Sequence, residues 1–164
     1  IVENASDAIV SINTLGTLVF FNRKAEEMFG YTAAEILGKP SHLLIPEGMR
    51  DAEVSAVTKH RQNQKTGYLA SLQEGLALCK NGSLLPIEAS YYGYHLNGTY
   101  LMTAIIRDIS LRKEFERSLE EAKDFSDSII ESSLDSIVIT GPNGTISRVN
   151  SVAPGLISPS PESG

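Results

Sequence analysis

Short runs of alternating apolar and polar residues predict strands in two separate parts of the chain. Five segments rich in β-branched and aromatic side chains have this pattern: residues 8–13, 17–22, 69–80, 84–96 and 99–109. The first two are joined by a turn that contains Asn13 and Gly16. The last three are joined by turns that contain Asn-Gly at 81–82 and 97–98, the strongest short hairpin signal.

Helix signals lie between the two groups of strands. Asn22 can cap a helix over residues 23–29, and Gly30 can end it. Thr32 and Glu35 have the spacing of a capping box, which predicts a second short helix directly afterwards.

The order of the elements predicts an α+β domain, with an antiparallel sheet and helices on one of its faces. A longer helix is predicted over residues 48–63, where apolar side chains recur on one helical face. In the fourth predicted strand, Ile87 and Tyr91 alternate with Glu88 and Ser90. One face of the sheet therefore belongs to the core and the other does not.

After residue 109 the apolar positions take helical spacing. They are separated by 4, 4, 3, 3 and 4 residues and belong to Leu111, Phe115, Leu119, Ala122, Phe125 and Ile129. This stripe predicts an amphipathic helix. The first unit offers no obvious surface to cover the stripe, so we expect a parallel homodimer in which the same helix of a second copy covers it.

The start of the chain is repeated 128 positions further on. Residues 1–22 align without gaps with residues 129–150, and 8 of the 22 pairs are identical, including Asn22 with Asn150. The chain thus reads as a fragment that holds one whole unit and the opening of a second. An isolated hairpin is marginally stable in water, so we expect the second copy to find its contacts mainly in neighbouring molecules.

Composition excludes several classes of function. The 164 residues carry a net charge of −6, which provides no basic face for nucleic acid. No apolar run approaches the ~20 residues of a membrane span, so we expect no membrane contact of this fragment. Cys79 is the only cysteine, which excludes an internal disulfide and favours the reducing cytoplasm.

The first unit resembles a PAS domain, the sensory module of bacterial signalling proteins. The resemblance covers residues 1–110 and is carried by motifs in the family's order: NASDAI (4–9), FNRKAEEMFGY (21–31), EILGK (35–39), LIPE (44–47), KNGS (80–83), PIE (86–88) and RDIS (107–110). It implies a PAS fold, with a five-stranded antiparallel sheet around a small pocket and a helix that carries signal to an output domain.

We therefore expect a PAS domain over residues 1–110, a signalling helix over 111–134 and a truncated second PAS domain over 135–164. The expected parent is a cytoplasmic sensor histidine kinase of a two-component system, in which this non-enzymatic fragment binds a small ligand. The alternative is a ligand-free dimerisation and relay module in a diguanylate cyclase or a transcription regulator.

Six residues are expected to line the pocket: Phe29, Glu53, Val57, His60, Ile87 and Tyr91. Heme-binding PAS sensors place the ligand histidine where this chain has Glu53, and a carboxylate is a poor axial ligand for heme iron. His60, two turns further on, fits a packed residue better. Light-sensing relatives need a cysteine for their flavin adduct where this chain has Ser41. We therefore expect neither heme nor covalent flavin, and the ligand stays open.

Asp108 and Ser110 lie where the last strand of the unit becomes the long helix. Ser110 can serve as a plain N-cap of that helix. Asp108 can act as a hinge, in which case the two residues relay signal from the sheet to the helix.

Overall fold

Five strands form one antiparallel sheet in the first part of the chain. The computed structural model describes residues 5–51, 55, 58 and 66–152, without the side chains of 68–72. The strands are β1 (Ala8–Asn13), β2 (Leu18–Phe21), β3 (Gly67–Leu78), β4 (Leu84–Leu96) and β5 (Thr99–Asp108). They lie in the order β2-β1-β5-β4-β3, so the first and last strands of the unit pair at its centre. The predicted α+β fold with five antiparallel strands is confirmed.

Two short helices follow β2, and their caps are those that the sequence predicts. α1 (Arg23–Phe29) begins at Asn22, whose Oδ1 accepts a hydrogen bond from the Ala25 N–H at 3.0 Å. It ends at Gly30, which has a φ of 78°, a left-handed conformation that glycine adopts without strain. α2 (Ala33–Ile36) carries the predicted capping box of Thr32 and Glu35.

Two 3-10 turns, Ser41–Leu44 and Glu47–Met49, continue the chain after α2. The helix that the sequence predicts over residues 48–63 lies largely outside the described residues. The turn between β4 and β5 has positive φ at both central residues, 50° at Asn97 and 78° at Gly98. Two positive φ values are the geometry that Asn-Gly provides in a two-residue hairpin.

The core of the first unit lies between the inner face of the sheet and the short helices. Its buried side chains come from all five strands, both helices and the first 3-10 turn, and they include Val10, Leu18, Phe29, Ile36 and Met102. The outer face of the sheet carries polar and aromatic side chains, among them Glu88 and Tyr92. β4 therefore has the one-sided pattern that the sequence indicates, with Ile87 and Tyr91 packed against the core and Glu88 paired on the other face.

The chain divides into two compact units, residues 1–113 and 114–164. The helix α3 (Ser110–Ser132) contributes to both. In the second unit, β6 (Val138–Thr140) and β7 (Ile146–Val149) form an antiparallel hairpin, as predicted. No helix within the described residues has the length and apolar character that crossing a membrane requires.

The hydrogen bonds of the second hairpin match those of the first at the predicted offset. In the first unit, Oδ1 of Asn22 accepts from the Ile9 N–H at 2.9 Å, and Nδ2 donates to the Asp7 carbonyl at 3.2 Å. In the second unit, Asn150 bonds the corresponding N–H of Ile137 at 2.9 Å and the carbonyl of Asp135 at 2.8 Å.

The hairpin also has contacts within its own chain that the sequence does not indicate. Nδ2 of Asn150 donates to the Ile130 carbonyl in the last turns of α3 at 3.2 Å. Arg148 forms an ion pair with Asp127 of the same helix. The expectation that neighbouring molecules supply most contacts of the hairpin therefore omits these bonds to α3.

Candidate functional site

A cavity of about 400 Å³ lies against the inner face of the sheet in the first unit. Strands β1, β3, β4 and β5 form its floor, and α1 with the 3-10 turns forms the described part of its walls. The apolar lining comes from Val10, Ile12, Phe29, Leu44, Ile45, Met49, Ala77, Ile87, Ala89, Met102, Ala104 and Ile106. Ser41, Gln73, Glu74 and Tyr91 add polar atoms. This volume lies at the lower end of the range for small-molecule sites.

Strand register places the small residues of the floor on one diagonal. Gly75 lies opposite Ile87, and Ala89 lies opposite both Gln73 and Ile106. Ala104 lies opposite Tyr91 on one side and Val10 on the other. Gly75, Ala89 and Ala104 therefore step across β3, β4 and β5 as diagonal neighbours. We call these three residues the diagonal floor.

Three of the six predicted pocket residues lie at this cavity. Phe29, Ile87 and Tyr91 line it, and the side chain of Phe29 is almost fully buried. Glu53, Val57 and His60 lie outside the described residues. The expectation of no heme depends on Glu53 and stays a prediction.

The first turn of α3 is tied to the outer face of the same strands by ion pairs. Nη2 of Arg112 lies 2.8 Å from Glu74 of β3 and 3.2 Å from Glu88 of β4. Nζ of Lys113 lies 2.7 Å from the second carboxylate oxygen of Glu74. One guanidinium thus bridges two neighbouring strands to the helix, and we call these four residues the ionic clamp.

The positive charges of the clamp also lower the pKa of one of its carboxylates. The hydrogen bond from Lys113 lowers the pKa of Glu74 below its usual value, and the charge of Arg112 adds to this. Next to the clamp, Arg107 of β5 binds both carboxylate oxygens of Asp7, at 3.0 and 2.9 Å. This hydrogen bonding raises the pKa of Arg107.

The start of α3 differs from the prediction that Ser110 is the N-cap of this helix. The helix begins at Ser110, and Ile109 precedes it; the Ile109 carbonyl accepts from the Lys113 N–H at 2.9 Å. The Ser110 N–H donates to the Asp108 carboxylate at 2.7 Å. Ser110 is therefore the first residue of the helix and not its N-cap. The role of Asp108 and Ser110 as a relay stays a prediction.

The predicted dimer stripe lies on the solvent side of α3 in the single chain. Its large side chains are between 53% and 74% exposed: Leu111, Phe115, Leu119, Phe125 and Ile129. Ala122 is exposed as well. The stripe is thus an apolar surface, and the dimer that would cover it stays a prediction.

A second polar contact holds the turn between β3 and β4 against the short helices. Nζ of Lys80 lies 2.7 Å from the carboxylate of Glu35 and 5.6 Å from the centre of the Tyr31 ring. The hydrogen bond from Lys80, followed by those from Thr32, lowers the pKa of Glu35 from 4.5 to about 2.

The sequence reading missed the clamp because its members are far apart in the chain. Nothing in the sequence connects Arg112 with Glu74, which lies 38 positions earlier. The one available signal was Glu88, a charged residue that alternates with cavity-lining residues on β4. Among the described residues, no group of three or more His, Cys, Asp or Glu side chains is arranged to hold a metal ion.

Comparison with known proteins gives consistent similarities. The PAS domain profile matches residues 6–111. The sensor protein FixL of Bradyrhizobium diazoefficiens is 22% identical over 121 residues, which are 74% of this chain and 24% of FixL. The oxygen sensor protein DosP of Escherichia coli is 29% identical over 140 residues, 76% of this chain and 18% of DosP. The chain thus spans less than a quarter of each of these relatives.

Among solved structures, the PAS domain of an HTR-like protein from Haloarcula marismortui matches with a TM-score of 0.56 and 28% identity. The match covers 66% of this chain and 90% of that domain.

Proposed function

The chain belongs to the PAS domain family, and we propose that it binds a small molecule in the cavity and relays this binding to an output domain through α3. The similarity to the sensor proteins FixL and DosP supports a sensory role. The long helix after the sheet fits the linker of a sensor histidine kinase, which we propose as the parent protein.

One observation carries this proposal: the cavity and the start of α3 share two strands. On β3, Gln73, Glu74 and Gly75 line the cavity, and the carboxylate of Glu74 belongs to the ionic clamp. On β4, Ile87 and Ala89 line the cavity, and Glu88 between them also belongs to the clamp. Successive strand residues point to opposite faces, so each strand contacts the ligand on one side and the helix on the other.

The relay would work through small shifts of these strands. A molecule seated on the inner face changes the spacing or twist of β3 relative to β4. The two carboxylates that Arg112 bridges then move relative to each other, and the guanidinium must follow one or both of them. Because Arg112 lies in the first turn of α3, a change in its partners alters the start of the helix.

We also propose that the functional protein is a homodimer joined along α3. The exposed stripe from Leu111 to Ile129 matches the length of the helix, and a second copy supplies an equal stripe. Burying apolar surface stabilises such a pair by roughly 25 cal/mol per Å². A change at the start of the helix would then pass along the pair to the output domain.

Native mass spectrometry of gently purified protein tests ligand binding. We expect a population heavier than the 17.8 kDa chain by one small molecule. Hydrogen exchange then compares loaded protein with protein stripped of that molecule. We expect the amides of residues 110–116 to change their exchange rate on stripping, and to change much less in Arg112→Met, which cannot bridge the carboxylates.

Arg117→Met provides the matched control, since Arg117 pairs with Glu121 further along the helix. Its response to stripping should equal that of the wild type. Equal responses in Arg112→Met and the wild type would contradict the clamp as the relay. Protein that never carries a molecule, whatever the host and purification, would contradict ligand binding and favour the ligand-free relay module.

A further inference from the structure

We infer that the cavity takes a flat, uncharged, aromatic molecule with a hydrogen-bonding group on one edge. This inference rests on the proposed function as a ligand-binding sensor and names the class of ligand. Three features of the described lining carry it: the shape of the floor, the chemistry of its two sides, and the position of charge.

The diagonal floor is a shallow trough of small side chains. Gly75, Ala89 and Ala104 step across three strands, and larger residues stand on both sides of them. A Cβ atom placed on Gly75 would have no heavy atom within 4 Å, so the trough is open at that end. A planar ring laid on a flat floor makes many van der Waals contacts, whereas a branched molecule of the same volume makes fewer.

The two sides of the trough differ in polarity. Register places Ile87, Ile106 and Val10 along one side, and all three are aliphatic. It places Gln73, Tyr91 and Met102 along the other side. The amide of Gln73 and the hydroxyl of Tyr91 can both donate and accept hydrogen bonds. A ligand that fits both sides has one apolar edge and one edge with a polar group.

The described lining provides no partner for a charged ligand. Glu74 is the one charged residue among the described lining residues, and its carboxylate is bound to Arg112 and Lys113 at 2.8 and 2.7 Å. The carboxylate of Glu88 also pairs with Arg112, at 3.2 Å on the outer face. A charge buried without a partner loses its hydration and is strongly disfavoured, so this lining favours a neutral molecule.

Two fluorescent probes with the same ring system test the inference on the full chain. N-phenyl-1-naphthylamine is neutral, and 8-anilinonaphthalene-1-sulfonate adds one sulfonate to the same rings. We expect the neutral probe to bind the wild type at least about tenfold more tightly than the sulfonate. We expect Gly75→Val, which fills the open end of the trough, to weaken the neutral probe by at least about tenfold.

Ala89→Leu fills the middle of the trough and provides a second variant. Ala34→Leu on α2 adds the same three carbon atoms at an exposed position outside the cavity and should leave binding unchanged. Thermal unfolding of each variant shows whether it is folded before its binding is compared. If one of the two filling variants does not fold, the binding of the neutral probe to the other variant tests the inference.

The outcomes separate this inference from the proposed function. If the sulfonate binds as tightly as the neutral probe and both are lost in Gly75→Val, the cavity binds ligands but the inference about charge is wrong, and His60 becomes the candidate counter-charge. If the filling variants bind the neutral probe like the wild type, the probe lies elsewhere and the inference is wrong. If neither probe binds and Gly75→Val raises the unfolding temperature, the cavity is a packing void, and the proposed ligand binding fails as well.

Discussion

Asn22 combines three structural roles in the first unit. It is fully buried, caps α1, and joins the end of β2 to the start of β1 through its amide oxygen and nitrogen. Asn150 makes the equivalent bonds to its own hairpin. An asparagine is required because this position needs an acceptor and a donor at once, which aspartate and leucine do not provide.

We predict that Asn22→Ala lowers the free energy of unfolding of the first unit by about 2 kcal/mol, because it removes a helix cap and leaves buried backbone groups unpaired. Urea-induced unfolding followed by tyrosine fluorescence measures this, since all tyrosines precede residue 101. Asn150→Ala is the matched control and should leave that transition within about 0.5 kcal/mol of the wild type. Equal losses in the two variants would contradict the account.

The Glu35 carboxylate is predicted to respond to the loss of one lysine. Its pKa is lowered from 4.5 to about 2, chiefly by the hydrogen bond from Lys80, so its stabilising contribution is present above pH 4.5 and is lost as the pH falls toward 2. Lys80→Met should return the pKa of Glu35 toward 4.5 and move this loss to higher pH. A pH titration of the Glu35 carboxyl carbon by NMR measures the shift.

Lys24→Met removes a lysine that pairs with Glu27 instead, and it should leave the Glu35 titration unchanged. A Glu35 pKa that stays near 2 in Lys80→Met would show that Thr32 is sufficient to lower it.

At the scale of elements, local signals predicted local structure well. Asn22, Gly30 and the pair Thr32–Glu35 fix the ends of α1 and α2, because caps depend on residues within one turn. The predicted β3 was displaced by two residues, since its start at Gly67 depends on pairing with β4. The start of α3 also differs from the prediction. The helix begins at Ser110, and the Ser110 N–H donates to the Asp108 carboxylate. The sequence offers Asp108 and Ser110 as two candidate caps within three residues, and the prediction chose Ser110.

The stripe on α3 leads to a prediction about assembly. Phe115→Asp combined with Leu119→Asp should convert a dimer into a monomer, because two charges per helix would otherwise be buried in the pair. Sedimentation velocity distinguishes the two forms. Arg117→Gln combined with Lys123→Gln lowers the net charge by the same amount outside the stripe and should remain dimeric.

Two outcomes would contradict this prediction. A double aspartate variant that still sediments as a dimer would place the interface elsewhere. A wild-type chain that sediments as a monomer at all accessible concentrations would exclude the dimer altogether.

At the scale of the whole molecule, the two units should respond separately to truncation. A chain that ends at Ser132 lacks β6 and β7 but keeps the complete five-stranded sheet. We predict that its tyrosine-detected unfolding midpoint stays within about 2 °C of the full chain, because each unit pairs its own strands. A larger fall would show that the hairpin contributes to the stability of the sheet.

Hydrogen exchange tests the hairpin itself. The side chains of β6 are exposed, and a two-stranded hairpin is marginally stable by itself. We predict weak protection of residues 136–150 in dilute solution and stronger protection as concentration rises. Strong protection that does not depend on concentration would show that the bonds from Asn150 and Arg148 to α3 are sufficient to hold the hairpin.

Sequence alone predicted the fold of the first unit and part of the candidate site. Phe29, Ile87 and Tyr91 could be assigned to the cavity because strand alternation and helix position are local properties. The ionic clamp could not be predicted, because Glu74 and Arg112 are 38 positions apart and meet only through the register of β3, β4 and β5. The diagonal floor has the same origin, since Gly75, Ala89 and Ala104 become neighbours only when three strands are aligned.

The alternation of β3 and β4 has a consequence for how such a protein can evolve. Ile87, Ala89 and Tyr91 of β4 line the cavity, while Glu88 between them pairs with Arg112 of α3. If the cavity binds a ligand as proposed, a substitution that enlarges Gly75 or Ala89 changes which molecules fit and leaves the carboxylates of the clamp in place. Under the proposed relay, lineages can therefore acquire a new stimulus by single substitutions and keep an inherited output.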